Sequence, residues 1–158
     1  MWDRPWIRYW LPVGLWAGAI FVISTDLGST GNTSRFLGPI LRWLAPGISL
    51  EGIQLGQLLV RKFGHLTGYA GLAALFWRAW YRPSRPGARP WLPRLGWQAW
   101  LAATGYAVTD EIHQAFTSTR QGSALDVLID ATGAALGLVA VWRLGRRRGW
   151  WRLEPPRA

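Results

Sequence analysis

Apolar residues in this chain are bunched into four long stretches, separated by polar, Gly/Pro-rich or Arg-rich segments. A soluble domain of this length would spread them at helix or strand period. The first stretch predicts a span over about residues 6–24. It contains Pro12, which a membrane helix tolerates. The run continues through Ile20-Phe21-Val22-Ile23 with no small-residue cleavage site, so it reads as a retained helix and not a cleaved signal. A Gly/Ser/Thr/Asn-rich stretch, 26–34, follows. Residues 35–44 fit a short interfacial helix with Trp43 as its anchor, broken by Pro46-Gly47. Ser49-Leu50-Glu51-Gly52 has the look of a helix start. The second span is expected over 55–80, with an apolar core, 63–77, short enough to leave Arg61 and Lys62 near one interface. The Pro/Arg-rich segment 82–94 reads as a solvated connector. Spans over 97–116 and 124–142 come next, then an arginine-rich tail, 143–158. The expected fold class is all-α: one domain, 1–158, polytopic in a membrane, with about four transmembrane helices in one bundle.

Charge sharpens this picture. The chain holds 18 Lys+Arg against 8 Asp+Glu. A basic balance often marks a nucleic-acid binder, but here most arginines flank apolar segments, where they act as topology signals. No nucleic-acid partner is expected. The positive-inside rule puts the N-terminus, the 82–94 loop and the basic tail in the cytoplasm, so both termini are inside. Trp2, Trp6, Trp77, Trp80, Trp97, Trp100, Trp142, Trp150 and Trp151 then fall at the cytoplasmic interface as an aromatic belt. There is no cysteine, so neither disulfide nor thiolate chemistry is available.

The residues that do not belong in a membrane helix are Lys62, His65, Asp110, Glu111, His113, Asp126 and Asp130, with Arg120 in the loop before the fourth span. This topology puts all of them at the outer end of the bundle, where Ser24 and Asp26 close the first span. Lys62, His65 and Tyr69 are spaced i, i+3, i+7 and share a helix face; Tyr106, Asp110, His113 and Gln114 share another; Asp126 and Asp130 are one turn apart. Gly133 and Gly137 continue the last stripe inward and allow close helix approach, as Gly14/Gly18 and Gly64/Gly68 do elsewhere. Ionisable groups inside a membrane span are expensive and mark functional sites by default. Plainer readings stand beside that one: Ser123 and Asp126 as a capping box, Lys62 snorkelling to headgroups, Asp130 as a structural partner for Lys62 or Arg120, Glu111 facing water. Lys62 is the single lysine among seventeen arginines. An ammonium is a compact point charge suited to phosphate.

Two blocks resemble a known family. Lys62-Phe63-Gly64-His65-Leu66-Thr67-Gly68-Tyr69 is similar to the K-x-x-H-x-x-x-Y segment of VanZ-like proteins. Asp110-Glu111-Ile112-His113-Gln114-Ala115-Phe116, then Arg120, then Asp126-Val127-Leu128-Ile129-Asp130-Ala131-Thr132-Gly133 looks like that family's D-E-x-H-Q-x-F…R…D-V-x-x-D-x-x-G block. Ile23-Ser24 is also similar. The resemblance implies a small multi-pass protein of the bacterial cytoplasmic membrane in a cell-envelope setting, related to a protein linked to teicoplanin resistance. It implies motif positions and no particular reaction. The 35–54 connection and the Trp/Arg richness look particular to this chain.

Three readings fit these residues. In the first, Lys62 and Arg120 clamp the anionic headgroup of an outer-leaflet, lipid-linked substrate, helped by Tyr69, Gln114, Asp130 and Ser24. His65 or His113 then serves as general acid/base, with Asp110, Glu111 and Asp126 as the acidic partners. Phosphatase or transferase chemistry fits, although no G-x-S-x-G nucleophile motif is present. In the second, no cofactor being required by the first, a divalent Zn²⁺ or Mn²⁺ is held by an N/O set such as His65, His113, Asp110 and Asp126, with Glu111 and Asp130 as further donors; H-E-x-x-H is absent. In the third, the cluster is a structural lock or a transport entry point. A proton-linked carrier wants carboxylates near the midplane, and Asp130 is about two turns from the outer surface. Membrane lipids are the expected partners, and oligomeric state is open.

Overall fold

The computed structural model describes residues 4–25, 30–82, 90–116 and 122–151. Asp26 and Arg120 lie outside these. The described chain is helical throughout: α1 (Pro5–Ser24), α2 (Thr30–Leu44), α3 (Leu50–Tyr81), α4 (Pro93–Ala115) and α5 (Ala124–Arg147). The four predicted long helices are all present. The expected short helix is present as α2, beginning five residues before position 35.

Local chemistry sets several boundaries. Ser49 is a working N-cap whose side chain accepts a hydrogen bond from the Gly52 N–H at 3.1 Å. Pro93 opens α4 at its first turn, where its missing N–H costs nothing. The end of α5 departs from the sequence reading: the helix runs to Arg147, five residues past the predicted end of the span. Gly149, at φ +63°, stops it. Its N–H bonds to Arg146 O at 3.4 Å and the Trp150 N–H to Gly145 O at 2.9 Å, the paired bonds of a Schellman stop. The reversal drops Trp151 onto Gly145. There it joins a cluster with Trp77, Tyr81 and Trp91, with ring centroids 4.6–5.7 Å apart. A Cβ at Gly145 would occupy the space of the Trp151 ring. Gly145→Leu is therefore expected to expel Trp151 and lower stability by about 1–3 kcal/mol. A thermal melt in detergent checks this, together with faster proteolysis after Arg148; an unchanged melt and digest would refute it.

Helix α3 is the axis, packing against each of the other four. Its contact with α5 is tightest because Gly133 and Gly137 face the α3 backbone: a Cβ on Gly133 would fall 2.9 Å from the Leu66 carbonyl carbon, and one on Gly137 2.7 Å from Ala70 Cα. Helix α4 contributes an alanine stripe, Ala99, Ala103 and Ala107, fully buried. Small residues at such contacts allow backbones to approach closely. On α1, the Trp16 indole donates to Gly68 O at 2.9 Å and its ring lies over Gly71. The other two Gly-x-x-x-Gly pairs make no close backbone approach within the bundle: a Cβ at Gly14, Gly18 or Gly64 would meet nothing within 4 Å, and one at Gly68 only the Ile20 side chain.

Among the described residues two helices, α1 and α5, are long and apolar enough to cross a membrane. Only 17% and 22% of those apolar windows are buried inside the protein, so their hydrophobicity is not spent on an internal core. Exposed large apolar side chains continue around α3 and α4, among them Leu59, Phe63, Leu101 and Ile112. Helices α3 and α4 are also more polar, carrying Arg61, Lys62 and His65, and Asp110 and Glu111.

Candidate functional site

Helix α1 ends, α4 ends and α5 begins at one end of the bundle. The unusual polar residues gather there. Ser24, Asp110, Glu111, Gln114, Asp126 and Asp130 are all buried, Asp130 completely. Lys62 and His65 come from the middle of α3, which runs on for three turns beyond them toward its N-terminus. That extension packs against α2, where Leu41 meets Gly56. The helix starts at Leu50, as the Ser49-Leu50-Glu51-Gly52 signal predicts, ahead of the span expected from residue 55.

Asp110 joins three helices. Its Oδ2 accepts from the Ser24 hydroxyl of α1 at 2.6 Å, the Tyr69 hydroxyl of α3 at 3.3 Å and Gln114 Nε2 at 3.2 Å. Glu111 also points inward. Its Oε1 accepts from Gln114 Nε2 at 3.3 Å, and its Oε2 from the Ser123 backbone N–H at 2.8 Å. Glu111 therefore supplies from α4 a cap to the N-terminus of α5, satisfying a donor that has no intrahelical partner. The Ser123 side chain makes no capping bond. Asp126 is accordingly not one half of a capping box. It pairs instead with Lys62 Nζ, with Arg61 3.8 Å away on its other oxygen. One turn deeper, His65 Nδ1 lies 3.3 and 3.4 Å from the two oxygens of Asp130. Two parallel pairs, Lys62–Asp126 and His65–Asp130, thus bind α3 to α5.

Glu111 closes the gap between them. One ligand atom each from His65, Glu111 and Asp130 lies within 4.8 Å of the others. Glu111 facing water is excluded by its burial. His113 stands apart: its ring packs on Phe21 of α1, centroids 4.7 Å apart. Tyr106 points the same way, its hydroxyl donating to Ala17 O at 2.7 Å. The reason is angular. Residues 106, 110, 113 and 114 cover an arc of roughly 100° at 3.6 residues per turn. That is wide enough for its two edges to meet different neighbours. Asp110, Glu111 and Gln114 continue the buried alanine stripe, and Tyr106 and His113 lie on the flank toward α1. Of the two histidines, the structure brings His65 alone into the carboxylate cluster.

Charge within the cluster is unbalanced. Among the described residues, Lys62 and Arg61 form ion pairs with Asp126, and the one ion pair to the remaining carboxylates is that of His65 with Asp130. Asp110 Oδ1 and Asp130 Oδ1 are buried without a hydrogen-bond partner. Such groups are costly when charged and uncompensated. Beside the cluster runs an apolar groove of about 420 Å³ between α1 and α3, lined by Trp16, Ile20, Ile23, Gly64 and Gly68 and ending at Ser24, His65 and Tyr69. Sequence spacing missed the groove, the Glu111 cap and the Arg61 contact. The only signal for the first was the run of small residues on α3.

A family model described as VanZ/LLP1 matches residues 10–145. No curated protein and no solved structure matches the chain.

Proposed function

Because this chain belongs to the VanZ-like family, its VanZ/LLP1 model covering residues 10–145, we propose that it binds or processes a phosphate-bearing envelope lipid or cell-wall precursor. On this reading α3 and α4 cross the bacterial cytoplasmic membrane together with α1 and α5. Both termini are cytoplasmic, the polar cluster faces the outer leaflet, and α2 lies at the interface. Any part in teicoplanin resistance belongs to the same proposal.

The observation that carries it is the continuity between groove and cluster. An isoprenoid or acyl tail fits a slot walled by Trp16, Ile20 and Ile23, and that slot leads to His65, Tyr69 and Ser24. Lys62 and Arg61 stand one turn from His65 and give the headgroup its cationic partners. Ammonium and guanidinium bonds to phosphate oxygens are charge-assisted and stronger than neutral ones. The single lysine retains two N–H donors beyond the one given to Asp126. His65, backed by Asp130, is the group suited to move a proton at a phosphate oxygen. Tyr69, Ser24 and Gln114 position Asp110, and Asp126 positions Lys62. Arg120, which follows α4 in the motif shared with the family, is proposed as a further headgroup contact.

The test is binding of a polyprenyl phosphate against the matching neutral polyprenol, measured by native mass spectrometry on the purified chain, with phosphate release followed in parallel. The phosphate form is expected to bind at least about tenfold more tightly, and Lys62→Ala to remove that preference, a difference of about 1.4 kcal/mol. Equal binding of both lipids, or equal preference in the variant, would reject the proposal. Phosphate release abolished by His65→Ala separates an enzyme from a carrier.

A further inference from the structure

We propose that His65, Glu111 and Asp130 form a binding site for one divalent transition-metal cation. The inference goes beyond lipid recognition and does not depend on it; with the ion bound, His65 and Asp130 serve as its ligands and not as a proton-transfer pair. The three residues come from α3, α4 and α5, and one donor atom of each lies within 4.8 Å of the other two. Metal bonds of about 2.0–2.2 Å put neighbouring donors roughly 3 Å apart and opposite ones about 4.4 Å apart, so small side-chain rotations close the set. Imidazole with two carboxylates suits Zn²⁺ or Mn²⁺.

Acidic groups close together do not by themselves make a site. Two further observations point to a cation here. Asp130 is fully buried, and its Oδ1 makes no hydrogen bond, with the His65 Nδ1 3.3 Å away as its ion-pair neighbour. Among the described residues, the basic side chains at this level, Lys62 and Arg61, make their ion pairs with Asp126, and His65 is the one basic group within ion-pair distance of Asp130. A divalent ion adds positive charge beside these carboxylates and gives Asp130 Oδ1 a ligand bond in place of the hydrogen bond it lacks. The surroundings also have the form that supports metal ligands: the Gln114 amide and the Ser123 N–H hold the two Glu111 oxygens, and Asp110 is fixed by Ser24, Tyr69 and Gln114. Of the donors read from the sequence, the site uses His65 with Glu111 and Asp130, and it leaves out His113, Asp110 and Asp126.

The experiment uses the full chain in detergent, stripped with a chelator and titrated with zinc chloride and manganese chloride by calorimetry. One ion per chain is expected. His65→Ala and Asp130→Asn should each weaken binding at least about tenfold. His113→Ala, against Phe21, should leave it within about twofold. A variant that fails to fold does not remove the test, because pulsed electron paramagnetic resonance of the Mn²⁺-loaded wild type should show coupling to one histidine nitrogen. Failure of the wild type to bind a stoichiometric ion overturns the proposal, as does binding that survives His65→Ala and Asp130→Asn or is lost equally in His113→Ala. In those cases protons, not a metal, compensate the carboxylates. The readout is the ion itself, so it is distinct from the lipid measurement.

Discussion

Gly133→Leu is expected to unfold the bundle or lower its stability by about 3 kcal/mol or more. The glycine lies where α5 crosses α3, and any Cβ there would strike the Leu66 backbone. Overpacking usually costs about 1–3 kcal/mol when side chains can repack. Here the obstacle is the main chain of a 32-residue helix, which cannot move aside without displacing its contacts with the other four helices. The effect should extend to the site, because Asp126 and Asp130 precede Gly133 by two turns and one, and separation of α5 from α3 breaks both the Lys62–Asp126 and His65–Asp130 pairs. The control is Gly14→Leu on α1, where nothing lies within 4 Å. That change removes a flexible residue from a helix and should leave stability unchanged or slightly raised. Melting temperatures in one detergent decide the matter. Two equal melts would mean that the α3–α5 approach is not what holds the bundle.

The second large effect is expected at the Lys62–Asp126 pair, and it should be asymmetric. Lys62→Ala leaves Asp126, which is 7% exposed, without its ammonium partner. Leaving a buried charged acceptor unpaired costs about 1–3 kcal/mol, reduced to the extent that Arg61 at 3.8 Å takes over. Asp126→Asn should cost less, because the Lys62 side chain is 25% exposed and its ammonium can turn to water. The double variant Lys62→Ala/Asp126→Asn removes both charges and should recover most of the loss, with a coupling energy of about 0.5–3 kcal/mol. This cycle also separates a structural pair from a binding one. A pair that serves only the fold predicts that the double variant, once stable, binds polyprenyl phosphate as the wild type does. The proposed function predicts a stable double variant that has lost the preference for phosphate. Additive single-variant effects would show that the two side chains do not share an interaction.

The two pairs explain why some sequence inferences held and others did not. Lys62, His65 and Tyr69 were expected on one face from their spacing, and all three do face the cluster. Gly133 and Gly137 were expected to admit another helix, and they admit α3. Ser49 was expected near a helix start and caps α3. In each of these the information is local: a helix of 3.6 residues per turn decides which side chains share a side, and a missing Cβ decides what can come near. The carboxylates of α4 were harder. Asp110, Glu111 and His113 lie within one turn, and a rotation of α4 by a little under half a turn would exchange Glu111 for His113 at the centre. Nothing in the periodicity of that segment chooses between them. The alanine stripe chooses: Ala99, Ala103 and Ala107 seat α4 against its neighbours, and Glu111 follows their side of the helix.

The sequence by itself determined that the chain is helical, where its four long helices lie, and that acid, base and cation residues from separate helices gather at one level of the bundle. Long apolar runs, charged flanks and glycine or proline breaks are readable in order along the chain, because backbone hydrogen bonds within a helix are local. Only the tertiary structure decided which groups meet: Lys62 with Asp126, His65 with Asp130, Glu111 with the start of α5, and His113 with Phe21 outside the cluster. These partners come from different helices, so their contacts depend on the rotation and depth of each helix against α3. Close packing at Gly133, Gly137 and the α4 alanines sets those quantities. They are properties of surfaces in contact and are not written in the spacing of any one segment.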